Sequence, residues 1–148
     1  MTTTAPHVNG RVVALAHYAS RALLEDVLTR HGATFNQSVT LRVVAVAGGA
    51  VGRDALVADV IGSLKTDESV VHGVIAELTA AKLLEEDPAE ASGIRLTDAG
   101  RALYESTATE SAEIAARLYA DIPAEDLAIA GRVLTLVTER ANAELTEA

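Results

Sequence analysis

The stretch GIRLTDAGRALYE, residues 93–105, changes its pattern in the middle. Ile94 and Leu96 alternate with Arg95, the period of a short strand, and Thr97 follows as a good helix N-cap. From there the spacing becomes helical and continues to about Ala120. Upstream, KLLEED (82–87) is a second short run with apolar residues, separated from GIRLT by PAEAS (88–92). The order predicts a small β-hairpin with a flexible tip that runs directly into a long fifth helix.

Working outward from this stretch, the other elements are also helical. Val12, Val13, Leu15, Ala16, Ala19, Leu23, Val27 and Leu28 recur at helical spacing, so a first helix is expected from about Val8 to Arg30, with Gly32 as C-cap. A second should start at Asn36 as N-cap and run through QSVTLRVVAVA until GGAVG breaks it. A third covers roughly Arg53 to Ile61, followed by a turn at GSLKT. Thr66 or Asp67 caps a fourth, DESVVHGVIAELTAA. Its buried stripe would be Val70, Val71, Val74, Ile75 and Leu78, leaving Ser69, His72, Gly73, Ala76 and Thr79 outward. Pro123 suits the first turn of a sixth helix, with Glu125 and Asp126 complementing its dipole. The fold class read from this order is mainly α (α+β).

The totals limit what such a chain does. Its 148 residues are 49% hydrophobic and include one Phe, three Tyr and no Trp, which favours close-packed helices in a single domain, 1–148. There is no cysteine, so disulfides, zinc-thiolate sites and thiol nucleophiles are excluded. No apolar run reaches membrane-spanning length and no basic segment leads into an apolar one, so a cytoplasmic protein that makes no use of a membrane is expected. The formal net charge of −9 is unevenly placed. Residues 1–50 hold Arg11, Arg21, Arg30 and Arg42 against Glu25 and Asp26. Residues 51–98 hold four cations, Arg53, Lys65, Lys82 and Arg95, against ten acids, a net of −6.

IAELTAAKLLEED...GIRLTDAGRALYE resembles the recognition helix, winged hairpin and exit helix of the MarR-type transcriptional regulators, and Leu96 to Glu105 is its most specific part. The resemblance extends over almost the whole chain in element order, length and spacing. It implies a winged helix-turn-helix at 48–97 and dimerisation helices at 1–47 and 98–148. The implied function is a dimeric, ligand-responsive repressor on a short palindrome of double-stranded DNA, with no catalytic residue, no metal and no cofactor. The fourth helix would meet bases through Ser69, His72, Gly73 and Ala76. Lys65, Lys82, Arg95 and Arg101 would meet phosphates. A small-molecule effector would bind among His17, Tyr18, Arg21, Arg42 and Tyr104, with Arg42 as anchor for an anion.

The chain also departs from the family pattern. His72 and Gly73 stand where a Thr-Arg pair is usual, and Glu77 where a basic residue is frequent. Glu85 and Glu86 replace common arginines, DPAEASG replaces a basic wing tip, and Lys82 replaces a frequent Gly. These departures support an alternative: a degenerate MarR fold that leaves DNA alone and serves as a small-ligand-binding or protein-interaction module.

Other chemistries fare less well. Asp67, Ser69 and His72 suggest a hydrolase, but capping and solvation explain them and no oxyanion hole is evident. Glu68 and His72, four residues apart, could supply two metal ligands, yet the four histidines are scattered. His31 beside Gly32 is most simply a cation at a helix C-terminus. Gly48, Gly49 and Gly52 lack the GK[ST] of a phosphate loop.

Overall fold

The structure is a computed structural model that describes residues 5–147. Its elements are α1 (Gly10–Arg30), α2 (Phe35–Val46), β1 (Ala50–Gly52), α3 (Arg53–Leu64), α4 (Glu68–Ala80), β2 (Leu84–Glu86), β3 (Gly93–Leu96), α5 (Asp98–Leu118) and α6 (Ala124–Glu147). The fold is thus mainly helical with one small antiparallel sheet. The chain groups into two compact units, one ending at Glu113 and the other beginning at Ile114.

In the first unit, α2, α3, α4 and the sheet enclose one core. Leu41 and Val44 of α2 meet Leu56, Val57 and Val60 of α3, and Val71, Val74, Ile75 and Leu78 of α4; Leu84, Ile94 and Leu96 close it from the sheet. Val70 is the exception in the expected stripe of α4, being exposed. Its neighbours Val71 and Val74 already fill the inward arc, which a 3.6-residue period makes about three to four residues wide every two turns.

Local chemistry sets the element ends. Asn9 caps α1, its Oδ1 accepting from Val12 N at 2.9 Å, so the helix begins at Gly10. Asn36 lies inside α2; the cap is Thr34, in a reciprocal box with Gln37. The TFNQ order (34–37) carries that box and leaves Asn36 two residues too late. α3 continues past Ile61 to Leu64, and Lys65, at φ 55°, takes the left-handed closing position. α4 ends in a Schellman motif: Leu83 N donates to Leu78 O and Lys82 N to Thr79 O, with Lys82 at φ 62°. Lys82 therefore occupies the left-handed position at which the family pattern has glycine.

The hairpin forms as expected, with Glu85 opposite Arg95 and Leu84 opposite Leu96. A third strand, β1, pairs with the far side of β3, giving the order β1-β3-β2. Its three residues lie inside GGAVG, too short for an alternation to show. The hairpin tip is held by its own turns rather than left loose. Ala89 N donates to Asp87 Oδ1, and Gly93 N to Glu90 O. A Cβ on Gly93 would lie 3.0 Å from Asp87 Cβ.

At the end of β3 the wing, the end of α4 and the start of α5 are tied through Thr97. Its Oγ1 accepts from Gly100 N at 2.9 Å and donates to Lys82 O at 2.7 Å, while Thr97 N donates to Leu83 O at 3.2 Å. Gly100 packs directly on that carbonyl, since a Cβ there would come 2.0 Å from Leu83 O. Further along α5, Glu110 receives Arg30 Nη1 at 3.2 Å and His31 Nε2 at 3.0 Å, joining α5 to the end of α1. Those hydrogen bonds, from His31 first and Arg30 second, hold the Glu110 carboxyl below the usual carboxylate range. The second unit is simpler: among the described residues, α6 buries no side chain, and Ile129, Leu134, Leu136, Val137 and Leu145 are exposed along it.

Two outcomes follow from these contacts. Gly100→Ala should destabilise the chain by about 1–3 kcal/mol or more, because backbone rather than a side-chain tip must yield; urea unfolding would read this as a fall in midpoint at unchanged slope. Because the Glu110 value is depressed on folding, its contribution should be full above the ordinary carboxylate value and disappear as pH falls through the lowered one. The stability difference between wild type and Glu110→Gln should therefore shrink on acidification, and NMR titration of His31→Ala should find Glu110 moved back toward its ordinary value.

Candidate nucleic-acid interface

α3 and α4 form a helix-turn-helix whose turn is Lys65, Thr66 and Asp67. Asp67 stands at the N-cap position of α4 without a side-chain cap bond. Ser69, Gly73 and Ala76 are exposed, and His72 is half-buried beside them. At i, i+3, i+4 and i+7 these four share one face of α4. No side chain there larger than His72 would obstruct a groove, so this face is smooth and weakly polar.

Most polar side chains around this face have partners. His72 Nε2 lies 3.2 Å from Glu68 Oε1, and its Nδ1 lies 3.1 Å from Arg53 Nη2. Glu77, one turn below Gly73, accepts from Gln37 Nε2 at 3.0 Å. Neither Arg53 nor Gln37 is visible as a partner of α4 in the sequence, because the contacts span 19 and 40 residues with no periodicity to mark them.

The four cations assigned to phosphates are dispersed. Lys65 donates its ammonium to Gly62 O. Lys82 is exposed at the left-handed end of α4. Arg95 Nε is 2.8 Å from Glu85 Oε1, the residue directly opposite it across the hairpin. Arg101 reaches over Gly49, where an added Cβ would lie 2.6 Å from its Nη2. Arg95 and Arg101 share an open polar depression of about 460 Å³ with Glu85, Asp87 and Asp98. The one arginine of the wing, Arg95, thus has an acid beside it. An exposed ion pair of this kind contributes roughly 0–1 kcal/mol, so Glu85 masks the Arg95 charge without fixing it firmly.

The five residues assigned to an effector site lie in separate places. His17 and Tyr18 are exposed on α1 with ring centroids 5.9 Å apart. Arg21 lies over Phe35, its guanidinium carbon 4.0 Å from the ring centroid, and pairs with Glu25. It lines a groove of about 490 Å³ that reaches Ser69, Gly73 and Glu77 on α4. Arg42 faces another groove, about 650 Å³, between α2 and α3, lined by Val39, Val43, Val46, Val51 and Leu64. Tyr104 belongs to a third, narrow depression with Leu28, Leu41 and Thr107. The helical phase of α2 explains part of this separation: Leu41 turns inward, so its neighbour Arg42 turns out.

No group of three or more acidic or histidine side chains among the described residues could hold a metal, and no described helix is long and apolar enough to cross a membrane.

No protein-family model and no curated protein matches this sequence. Solved structures do match. An E. coli MarR variant complexed with operator DNA aligns at TM-score 0.70 and 18% identity, covering 86% of this chain and 91% of that one. NadR in complex with 4-hydroxyphenylacetate aligns at 0.70 and 18%, covering 93% and 98%. CouR from Rhodococcus jostii RHA1, bound to p-coumaroyl-CoA, aligns at 0.74 and 17%, covering 87% and 90%. What such distant sequences share here is architecture: this chain has the winged helix-turn-helix fold of the MarR-family regulators.

Proposed function

We propose that the protein is a dimeric, ligand-responsive transcriptional regulator that binds a short palindromic DNA site through α4 and the wing. The observation that carries this reading is the single exposed face of Ser69, His72, Gly73 and Ala76 beside the β2–β3 hairpin, in a fold whose solved neighbours include an operator complex. A helix of this width fits the major groove, and a palindrome matches a two-fold dimer. The dimer is supported by α6, whose exposed apolar residues need cover that a second copy would supply. The effector is supported by the neighbours NadR and CouR, which are seen with an aryl carboxylate and an aryl-acyl-CoA. Arg21 is the better placed of the two arginines to answer such a ligand, because its groove includes the α4 face itself.

A second reading is favoured by one specific feature. Arg95 is paired with Glu85, and Glu77 is held on α4 by Gln37, so one of the four cations assigned to phosphates is masked and an acid stands on the helix that would read bases. A chain of this kind would serve as a ligand-binding or protein-interaction module.

Fluorescence anisotropy with duplex DNA from upstream of the protein's own gene separates the two. The regulator reading expects binding at low salt that weakens steeply as salt rises, with about 0.9 of logarithmic slope per phosphate neutralised. No binding at low salt would establish the second reading. Glu85→Ala should unmask Arg95, raise low-salt affinity and steepen the slope by about 0.9 per protomer. An unchanged slope would mean that Arg95 meets no phosphate.

A further inference from the structure

His72 sits on the exposed face of α4 with both ring nitrogens held by groups of fixed polarity. Arg53 Nη2 is 3.1 Å from Nδ1, and Glu68 Oε1 is 3.2 Å from Nε2. A guanidinium only donates and a carboxylate only accepts. Nδ1 must therefore carry the lone pair and Nε2 the hydrogen. Neither the other tautomer nor the imidazolium satisfies both contacts.

The two holding groups are not equivalent. Arg53 opens α3, its backbone N–H is fixed to Ser92 O at 2.9 Å, and its contact with His72 is partly buried. The Glu68 side chain is 73% exposed in the first turn of α4 and is free to rotate away. The Arg53 contact is the lasting one and the Glu68 contact the exchangeable one.

We propose that Arg53 is a positioning residue that holds His72 as its Nε2–H tautomer, so that α4 presents one hydrogen-bond donor and reads an acceptor on a base edge. The acceptor would be a purine N7, guanine O6 or thymine O4 in the major groove. This rests on the DNA-binding reading above. As a duplex approaches, its phosphates repel the Glu68 carboxylate, and Nε2–H exchanges that partner for the base. Cytosine presents an amino donor there and is an unfavourable partner for a locked donor. The charged groups in contact with the ring are Arg53 from α3 and Glu68 from α4.

The test has two arms on the full chain. In the free protein near neutral pH, 15N NMR of the His72 ring should show an unprotonated Nδ1 and a protonated Nε2, whereas Arg53→Met should show both tautomers. In the second arm, a duplex pool with a randomised core is selected at low salt. Wild type should require an acceptor base at one position per half-site, and replacing that base should cost about fivefold or more in affinity. Arg53→Met should keep low-salt binding but reduce that preference to about twofold or less, with partial recovery in Arg53→Lys. Mixed tautomers in a wild type that still binds DNA would overturn this proposal alone, as would an unchanged preference in Arg53→Met. A locked ring in a protein that binds no pool would overturn the DNA-binding reading and the proposal with it.

Discussion

The packing of Gly100 on the Leu83 carbonyl is the constraint on which the rest of the winged helix-turn-helix depends. Leu83 closes the Schellman turn of α4, so its carbonyl is fixed by the helix that carries the candidate reading face. Thr97 donates to it from the last residue before α5, and the Thr97 hydroxyl bridges Lys82 O and Gly100 N. Three elements therefore meet within a few atoms. Each hydrogen bond is worth only about 0.5–1.5 kcal/mol net, but together they fix the angle at which the wing leaves α4. A side chain at position 100 would separate the backbones that make this junction.

Around that junction the charges are arranged differently from what the shape suggests. Phosphate binding draws affinity from counterion release by free Lys and Arg. Here Glu85 sits across from Arg95, Glu68 holds His72, and Glu77 is held by Gln37. All three acids are at the surface, and exposed pairs exchange readily. Such a surface should bind DNA weakly where no sequence is read, and should rely more on base contacts for its affinity. Acid beside the wing arginine, Arg95, would then favour selectivity over strength.

Much of this architecture could be read from residue order. Thr97, Lys82 and Gly32 act through local backbone geometry, which sequence encodes directly, and each occupies the place expected of it. Elements set by longer-range pairing were harder to see. Strand β1 exists because β3 offers it an edge, and its three residues carry no alternation of their own. The cap of α2 was displaced because Thr34 with Gln37 satisfies two backbone groups where Asn36 would satisfy one. At the candidate site, the shared face of Ser69, His72, Gly73 and Ala76 follows from helical period alone. The partners Arg53 and Gln37 do not, and the separation of Arg21, Arg42 and Tyr104 into different grooves depends on the phases of three helices at once.

Amide hydrogen exchange, with and without a low-salt excess of duplex DNA from upstream of the protein's own gene, tests the central claim most directly. The account predicts slowed exchange in α4 and along β2–β3, where the reading face and the wing lie. Protection confined to other elements, or no protection at all, would contradict it.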